Sequence, residues 1–128
     1  MSPPTILIVD DSFSVRRILK AQMASLQAEV LTAESGERAL QLARLMPLSL
    51  MIVDIKMPGM DGFQLVELIR KDSRESVAKL PVILLTSDCS EAARTRMREV
   101  GADELVDKAD PGSALLAAIG RHLGKART

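Results

Sequence analysis

Five short apolar segments recur along the chain at intervals too long for hairpin connections, and each is a continuous run rather than an alternation with polar residues. They occupy residues 5–9, 28–32, 49–53, 81–85 and, more weakly, 104–107. Continuous apolar runs are typical of strands that are covered on both faces of a parallel sheet. The pattern therefore predicts five buried, parallel strands.

The segments between these runs have the spacing of amphipathic helices. They cover residues 14–25, 35–45, 62–71, 90–100 and 111–123, and the third has room to continue past Asp72. Helices that alternate with strands in this way form a parallel sheet with right-handed crossovers and helices on both faces. We therefore predict an α/β fold of the (βα)5 type, a doubly wound, flavodoxin-like three-layer sandwich with the parallel sheet order 2-1-3-4-5.

Composition narrows the class of protein. A chain of 128 residues suits one domain, so we expect a single unit over residues 1–128 with its core at about 5–123. The 17 basic residues balance the 17 acidic ones, which leaves no net field to attract nucleic acid or anionic lipid. One cysteine, and no segment typical of a signal peptide or a membrane span, predict a cytoplasmic protein.

Three acidic residues stand at the ends of the first and third predicted strands. Asp10 and Asp11 follow the first strand directly, and Asp54 follows the third. Because these strands are neighbours in the predicted order, their carboxyl ends flank one crevice, where the three carboxylates converge. An aspartate after a strand is often only a turn residue, but a bound cation explains three of them better. Oxygen ligands with room for water favour Mg²⁺ over Ca²⁺.

The ends of two further strands add groups of another kind. Thr86 and Ser87 follow the fourth strand, and Lys108 follows the fifth in an otherwise acidic stretch. A lysine beside acids is usually a solvated surface pair, yet its place at a strand end favours a role in the same crevice. Carboxylates, a metal ion, a hydroxyl and an ammonium on one rim predict a site for a phosphoryl group.

Together these residues resemble the receiver domains of bacterial two-component response regulators, the CheY-like superfamily. The resemblance covers essentially the whole chain. It rests on Asp10-Asp11, on Asp54 within Val53-Asp-Ile-Lys-Met-Pro-Gly-Met-Asp-Gly62, on Thr86-Ser87, on Gly101-Ala-Asp103 and on Lys108. Residues 11–18 further resemble the first helix of the chemotaxis regulators in that superfamily.

The resemblance implies a role for each of these residues in a two-component phosphorelay. Asp54 would accept a phosphoryl group from the phosphohistidine of a sensor histidine kinase or of a phosphotransfer protein. Lys108 would pair with the phosphoryl oxygens, Thr86 would move to hydrogen-bond to them, and Ser87 would leave space for them. Four groups would hold Mg²⁺, the last through water: the side chains of Asp11 and Asp54, the backbone carbonyl of Lys56, and Asp10.

By the same resemblance the chain would be a stand-alone switch rather than an enzyme, capable at most of slow self-phosphorylation from small donors and of slow dephosphorylation. A downstream protein would dock on the surface formed by the fourth predicted helix, the fifth strand and the fifth helix, and the chain would be a monomer or a weak dimer. Arg94, Arg96 and Arg98 on that fourth helix are expected to form a solvated face rather than a nucleic-acid patch, since no aromatic residues lie between them.

Two positions depart from the pattern of the family. The aromatic residue three before the lysine is replaced by Leu105, and the proline after it by Ala109, for which we expect a trans peptide bond. These changes leave the acceptor chemistry intact but remove the aromatic switch, so coupling would run through Thr86 and the loop after it. Lys56 and Asp88 flank the route of hydrolytic water, and a pairing between them would slow loss of the phosphoryl group.

Other interpretations stay open at this point. The missing switch residues would suit a pseudo-receiver that binds partners without phosphorylation. A phosphohydrolase of the haloacid dehalogenase type also uses an aspartate nucleophile, but the second acid of that class, two residues after the nucleophile, is replaced here by Lys56. Binding of FMN, as in flavodoxin, is disfavoured because no phosphate loop rich in Ser, Thr and Gly follows the first strand. Outside the crevice, His122, beside Arg121, is predicted to be a solvated residue at a helix end.

Overall fold

The computed structural model describes residues 3–109 and 112–126, and this part of the chain forms five strands and six helices. The strands are β1 (Thr5–Val9), β2 (Glu29–Ala33), β3 (Leu50–Asp54), β4 (Val82–Thr86) and β5 (Glu104–Asp107). The helices are α1 (Phe13–Gln22), α2 (Gly36–Leu45), α3 (Gly62–Arg70), α4 (Glu75–Ala78), α5 (Glu91–Val100) and α6 (Gly112–Ala126). None of these helices combines the length and the apolar character that crossing a bilayer would require.

The five strands form one parallel sheet in the order β2-β1-β3-β4-β5, which confirms the predicted fold. The central strand β3 is buried along its whole length. Because successive side chains of a strand point to opposite faces, the apolar runs feed two separate cores. Helices cover both faces, so the chain is a three-layer α/β/α sandwich.

Each core joins alternate strand residues to a different set of helices. On one face Leu7 and Met51 pack with residues of α2, α3, α4 and α5. On the other face Ile8 and Ile52 pack with α1 and α6, including Leu115. Burial of a large aliphatic side chain contributes about 1.5–3 kcal/mol to stability, so both helix layers hold the sheet rigidly. The rim at the carboxyl ends of the strands is therefore built on a firm support.

Short polar residues begin most of the helices. Three serines accept a hydrogen bond from a backbone N–H in the first turn of α1, α2 and α5: Ser12, Ser35 and Ser90. Asp61 and Gln64 form a capping box at the start of α3. The helix α5 ends at Gly101, whose φ of 89° lies in the left-handed region that favours glycine. The start predicted for the last helix, at residue 111, lies outside the described residues.

The element boundaries are close to those predicted, with differences at the ends of β2, β3, β4 and α3 and with the short helix α4 in addition. β3 and β4 run one residue further, so that Asp54 and Thr86 are the last residues of strands rather than the residues after them. The helix α3 ends at Arg70 and does not continue past Asp72, because the Asp72 carboxylate accepts the backbone N–H of Arg74 at 2.9 Å. Such a local side-chain bond competes with helix, and the short helix α4 follows.

The prediction of a solvated His122 is wrong. The side chain is buried, with 4% of its surface exposed, and its Nε2 lies 2.6 Å from Oε2 of Glu104 at the start of β5. Arg121 donates two hydrogen bonds to the same carboxylate, at 3.0 and 2.6 Å. His122 follows Leu115 by seven residues on α6, and this spacing places it on the buried stripe of the helix.

Candidate functional site

The sheet brings the three predicted acids together at its carboxyl end. β1 and β3 pair directly, so Asp10, which follows β1, and Asp54, which ends β3, lie side by side. One carboxylate oxygen from each of Asp10, Asp11 and Asp54 lies within 4.8 Å of the others. Asp10 and Asp54 are buried and Asp11 is exposed. A ligand would therefore reach the cluster from the side of Asp11.

Lys108 reaches this cluster from the far side of β4. Its Nζ lies 2.9 Å from Oδ2 of Asp54 and 3.4 Å from Oδ2 of Asp10. Its backbone N–H donates to the carbonyl of Thr86 at 2.8 Å, which fixes the loop after β5 against the end of β4. Burial lowers the pKa of the ammonium, but the contacts with Asp54 and Asp10 outweigh it and the net pKa is raised. The lysine therefore stays protonated opposite the acids.

Asp10 carries negative charge that the protein compensates only in part. One carboxylate oxygen accepts the backbone N–H of Ser12 at 2.9 Å, but the other, Oδ2, has no hydrogen-bond partner among the described residues. Burial raises the pKa of Asp10, and the neighbouring charge of Asp54 raises it further, against opposing contributions from Ser12 and Lys108. Three carboxylates facing one ammonium leave excess negative charge at this rim, which a cation would neutralise.

Thr86 and Ser87 lie at the same rim, as predicted, at the end of β4. Asp54 pairs in register with Leu85, the residue before Thr86. Thr86 is buried and its Oγ1 accepts the N–H of Asp88 at 2.9 Å, whereas Ser87 is exposed. The side chains of Thr86 and Ser87 therefore lie on the β4 side of Asp54, and that of Ser87 is accessible to solvent.

The loop after β3 is held beside Asp54 by a turn. The backbone N–H of Lys56 lies 3.4 Å from Oδ1 of Asp54, and Gly59, which follows Pro58, has a φ of 77°, the left-handed value that a type II turn requires after its proline position. The loop closes where the N–H of Gly62 donates to the carbonyl of Ile55 at 2.9 Å. The turn thus keeps the backbone of Lys56 next to the carboxylate.

Gly62 is a site residue that sequence reasoning missed. A Cβ at this position would lie 2.8 Å from the Cα of Ile55 and 2.9 Å from the carbonyl oxygen of Asp54, closer than such atoms approach. The start of α3 therefore packs directly on the backbone of the acid, which only glycine permits. The available signal was the glycine directly after Asp61, which caps the helix.

Arg16 is a second residue that the sequence did not single out. From the first turns of α1 its guanidinium donates to the backbone carbonyl of Asp10 at 2.7 Å, and it lies 5.7 Å from the centre of the Phe13 ring. The contact ties the helix to the loop that carries Asp10 and Asp11. Helical spacing identified Arg16 only as a polar position, since the distance from Asp10 depends on how the loop turns.

The two positions that depart from the family pattern have ordinary surroundings. Leu105 is half-buried and packs against the core beneath α5. Ala109 is exposed, and the described residues contain no cis peptide bond, in agreement with the expected trans bond. Arg94, Arg96 and Arg98 are exposed on α5, as predicted.

Comparisons with known proteins bear on the same region. The family model of the response regulator receiver domain matches residues 6–120. "Probable transcriptional regulator ycf27" of Cyanophora paradoxa is 39% identical over 103 residues, 80% of this chain and 41% of that protein. The transcriptional regulatory protein AfsQ1 of Streptomyces coelicolor is 34% identical over 116 residues, 91% of this chain and 49% of that protein. The chain thus spans less than half of the length of either relative.

A solved structure shares the fold over almost its whole length. The chemotaxis protein CheY4 of Vibrio cholerae superimposes with a TM-score of 0.86 at 30% identity, and the match covers 94% of this chain and 98% of that one. The family match includes both strands that carry the acids and the loop that carries Lys108. On these grounds the chain belongs to the response regulator receiver domains of two-component systems.

Proposed function

We propose that this receiver domain is a phosphorylation-controlled switch in which Asp54 accepts a phosphoryl group from the phosphohistidine of a sensor histidine kinase or of a phosphotransfer protein. Receiver domains interact with histidine kinases and downstream effectors, and they are typically signalling domains rather than enzymes. The observation that carries the proposal is the position of the Lys108 ammonium, 2.9 Å from Asp54 on a rim where three carboxylates converge.

The transfer needs a nucleophile and a positive environment. A carboxylate oxygen of Asp54 attacks the phosphorus atom, the P–N bond to the donor imidazole breaks, and an acyl phosphate forms while the imidazole takes up a proton. Catalysis of this step consists mostly of positioning and of neutralising charge on the phosphoryl oxygens. Lys108 is already paired with Asp54, so its ammonium needs only a small shift to reach those oxygens.

Receiver domains bind Mg²⁺ at an acidic cluster, and the residues at this rim fit such an ion. The donors are oxygen atoms, which Mg²⁺ prefers, and the buried Oδ2 of Asp10 lacks a hydrogen-bond partner within the described part of the chain. Asp11, Asp54 and the backbone carbonyl of Lys56 would hold the ion directly, and Asp10 would hold it through water. The bound ion would offset the negative charge of the phosphoryl oxygens.

The switch would act through Thr86, Ser87 and the loop that follows. The Thr86 hydroxyl oxygen, which accepts the Asp88 N–H, would reorient toward the phosphoryl group, and Ser87 would leave space for it. Movement of this loop would change the surface formed by α5, β5 and α6, on which a downstream protein would dock. A modification shifts a conformational equilibrium only by its differential affinity for the two states. Leu105 cannot supply the aromatic contact, so Thr86 would carry the coupling.

Phosphorylation by a small donor tests the proposal. The protein is incubated with phosphoramidate or acetyl phosphate and Mg²⁺, and the intact mass is measured over time. We expect an adduct of about 80 Da that requires the divalent ion. Asp54→Asn keeps the shape of the side chain but removes the nucleophile, so it should remain at the unmodified mass.

The other outcomes distinguish the alternatives. No adduct on the wild-type protein under conditions that phosphorylate another receiver domain would contradict the proposal and favour a pseudo-receiver. Rapid turnover of unrelated phosphate esters would favour a phosphohydrolase. The single-domain organisation, the cytoplasmic location, the absence of nucleic-acid binding and the monomeric or weakly dimeric state stay predictions.

A further inference from the structure

The loop that carries Lys108 is held by a side chain to which no role has been assigned. Asp107, the last residue of β5, accepts the backbone N–H of Ala109 on its Oδ1 at 2.9 Å. The N–H of Lys108 donates to the carbonyl of Thr86 at 2.8 Å. Hydrogen bonds therefore fix the backbone amides on both sides of the Lys108 side chain.

The arrangement depends on the identity of residue 109. A proline has no N–H and could not donate to Asp107, whereas alanine can. Asp107 is exposed and forms no ion pair within the described residues, and its carboxylate accepts the Ala109 N–H. A short side chain that bonds to the backbone two residues ahead stabilises a local turn. Here Lys108 is the central residue of that turn.

We propose that Asp107 is a positioning residue for Lys108: its carboxylate holds the Ala109 N–H, and through this turn it keeps the lysine ammonium in contact with Asp54 and Asp10. The inference rests on the proposed function for its effect on phosphorylation. The restraint of Lys108 by Asp107 does not depend on the proposed function. Lys108 contacts Asp54, the proposed acceptor, whereas Asp107 would influence the reaction only through the position of Lys108.

Two substitutions of Asp107 separate the hydrogen bond from the charge. Asn keeps an oxygen that can accept the Ala109 N–H but carries no charge, whereas Ala removes both. If the hydrogen bond positions Lys108, Asp107→Ala slows phosphorylation by phosphoramidate about fivefold, the loss expected for one such bond, and Asp107→Asn stays close to the wild-type rate. Binding of Mg²⁺, followed in the absence of donor, stays unchanged in both variants.

Ala109→Pro provides an independent check because it removes the donor instead of the acceptor. If Asp107 acts through the Ala109 N–H, Asp107→Ala has no further effect in the Ala109→Pro background, whereas unrelated effects would multiply. Equal losses in Asp107→Asn and Asp107→Ala would overturn the proposal, since charge would then be the cause. A wild-type rate in Asp107→Ala would overturn it as well.

A second measurement does not depend on phosphorylation. Limited acetylation with acetic anhydride, followed by peptide mass analysis, reports how freely the Lys108 amine leaves its ion pairs. We expect Asp107→Ala to raise the labelling of Lys108 a few-fold while labelling of the exposed Lys79 stays constant, and Asp107→Asn to leave both unchanged. Increased labelling without phosphorylation of the wild-type protein would refute the proposed function alone, and unchanged labelling would refute the restraint of Lys108.

Discussion

The two ends of the sheet differ in how completely their charged groups are paired with groups of opposite charge. At the amino end, Arg70 of α3 donates to the carbonyl oxygens of Gly101, Ala78 and Leu80 and to the carboxylate of Asp103. At the carboxyl end, three carboxylates face the single ammonium of Lys108, and one buried oxygen has no hydrogen-bond partner among the described residues. The first arrangement is compensated internally, and the second is compensated only in part.

The pKa shifts follow the same division. Burial lowers the pKa of Arg70, but Asp103 opposes this shift and the guanidinium remains charged at any ordinary pH. Burial raises the pKa of Asp10, and the charge of Asp54 adds to the shift, so the deprotonated state is the one that costs free energy. The comparison indicates that the charges at the amino end stabilise the fold, whereas the carboxyl end keeps negative charge that the described residues compensate only in part.

The largest effect is expected at the amino end. Arg70→Met keeps much of the aliphatic length but leaves the carbonyls of Ala78 and Leu80 and the carboxylate of Asp103 without their donor. Breaking a half-buried, multiply hydrogen-bonded contact should lower the free energy of unfolding by about 2 kcal/mol. Urea denaturation measured by circular dichroism gives this quantity directly.

Lys79→Met is the matched control for that experiment. Lys79 pairs with Glu75 one helical turn away, and both side chains are more than three-quarters exposed, at 76% and 78%. Exposed pairs of this kind contribute little, so the urea midpoint should not change. Equal effects of the two substitutions would show that Arg70 has no special role in the fold.

Replacement of aspartate by asparagine should change the free energy of unfolding in opposite directions at the two ends of the sheet. Without divalent ions at pH 7, Asp10→Asn should raise the free energy of unfolding by about 1 kcal/mol, because it removes a buried carboxylate that is poorly compensated. Asp103→Asn should lower it, because it weakens the pair with Arg70. Thermal or urea unfolding of both variants measures the two signs. A loss of stability in Asp10→Asn would contradict the comparison.

The pH dependence gives the same test in another form. Because the pKa of Asp10 is raised above its ordinary value of 3.8, the folded state binds the proton more tightly than the unfolded state. The stability contributed by this group is therefore full below about pH 4 and is lost as the pH rises through the raised pKa. Asp10→Asn should remove that part of the decline.

Mg²⁺ at ten times its dissociation constant should restore about 1.4 kcal/mol to the wild-type protein, and less to the variant.

The sheet and the acids and lysine of the site were predictable because residue type alone carries their signals. Continuous apolar runs identify buried strands, and Asp10, Asp54 and Lys108 follow or end such runs, so the strand order brings them together. His122 was predictable in principle, since it continues the buried stripe of α6 that includes Leu115. A histidine carries no apolar signal of its own, so only its spacing from Leu115 indicates that it is buried.

Contacts between side chains and distant or turning backbone could not be predicted in this way. The bond from Arg16 to the Asp10 carbonyl depends on how the loop after β1 turns. The end of α3 depends on a carboxylate of Asp72 competing for the backbone. The four acceptors around Arg70 come from separate parts of the chain, and only the packed fold brings them to one guanidinium.

The smallest expected effect concerns two exposed charges at the carboxyl end. The pairing considered for Lys56 and Asp88 is not formed: no ion pair joins them within 4.0 Å among the described residues, unlike Arg70 and Asp103. Hydrogen bonds from Ser90 lower the pKa of Asp88, and the charge of Lys56 makes a smaller contribution in the same direction. These two charges should slow the entry of water to the acyl phosphate without stabilising the fold.

Lys56→Asn should therefore speed loss of the phosphoryl group about two- to fivefold, the range expected for a weak, exposed interaction. Dephosphorylation is followed by intact mass after the donor has been removed, and the urea midpoint should stay constant. Lys71→Asn removes another exposed lysine, at the C-terminal end of α3, and should leave the rate unchanged. An unchanged rate in Lys56→Asn would mean that water reaches Asp54 by a route that these two charges do not guard, and the excess charge at this end would then serve acceptance of the phosphoryl group rather than its retention.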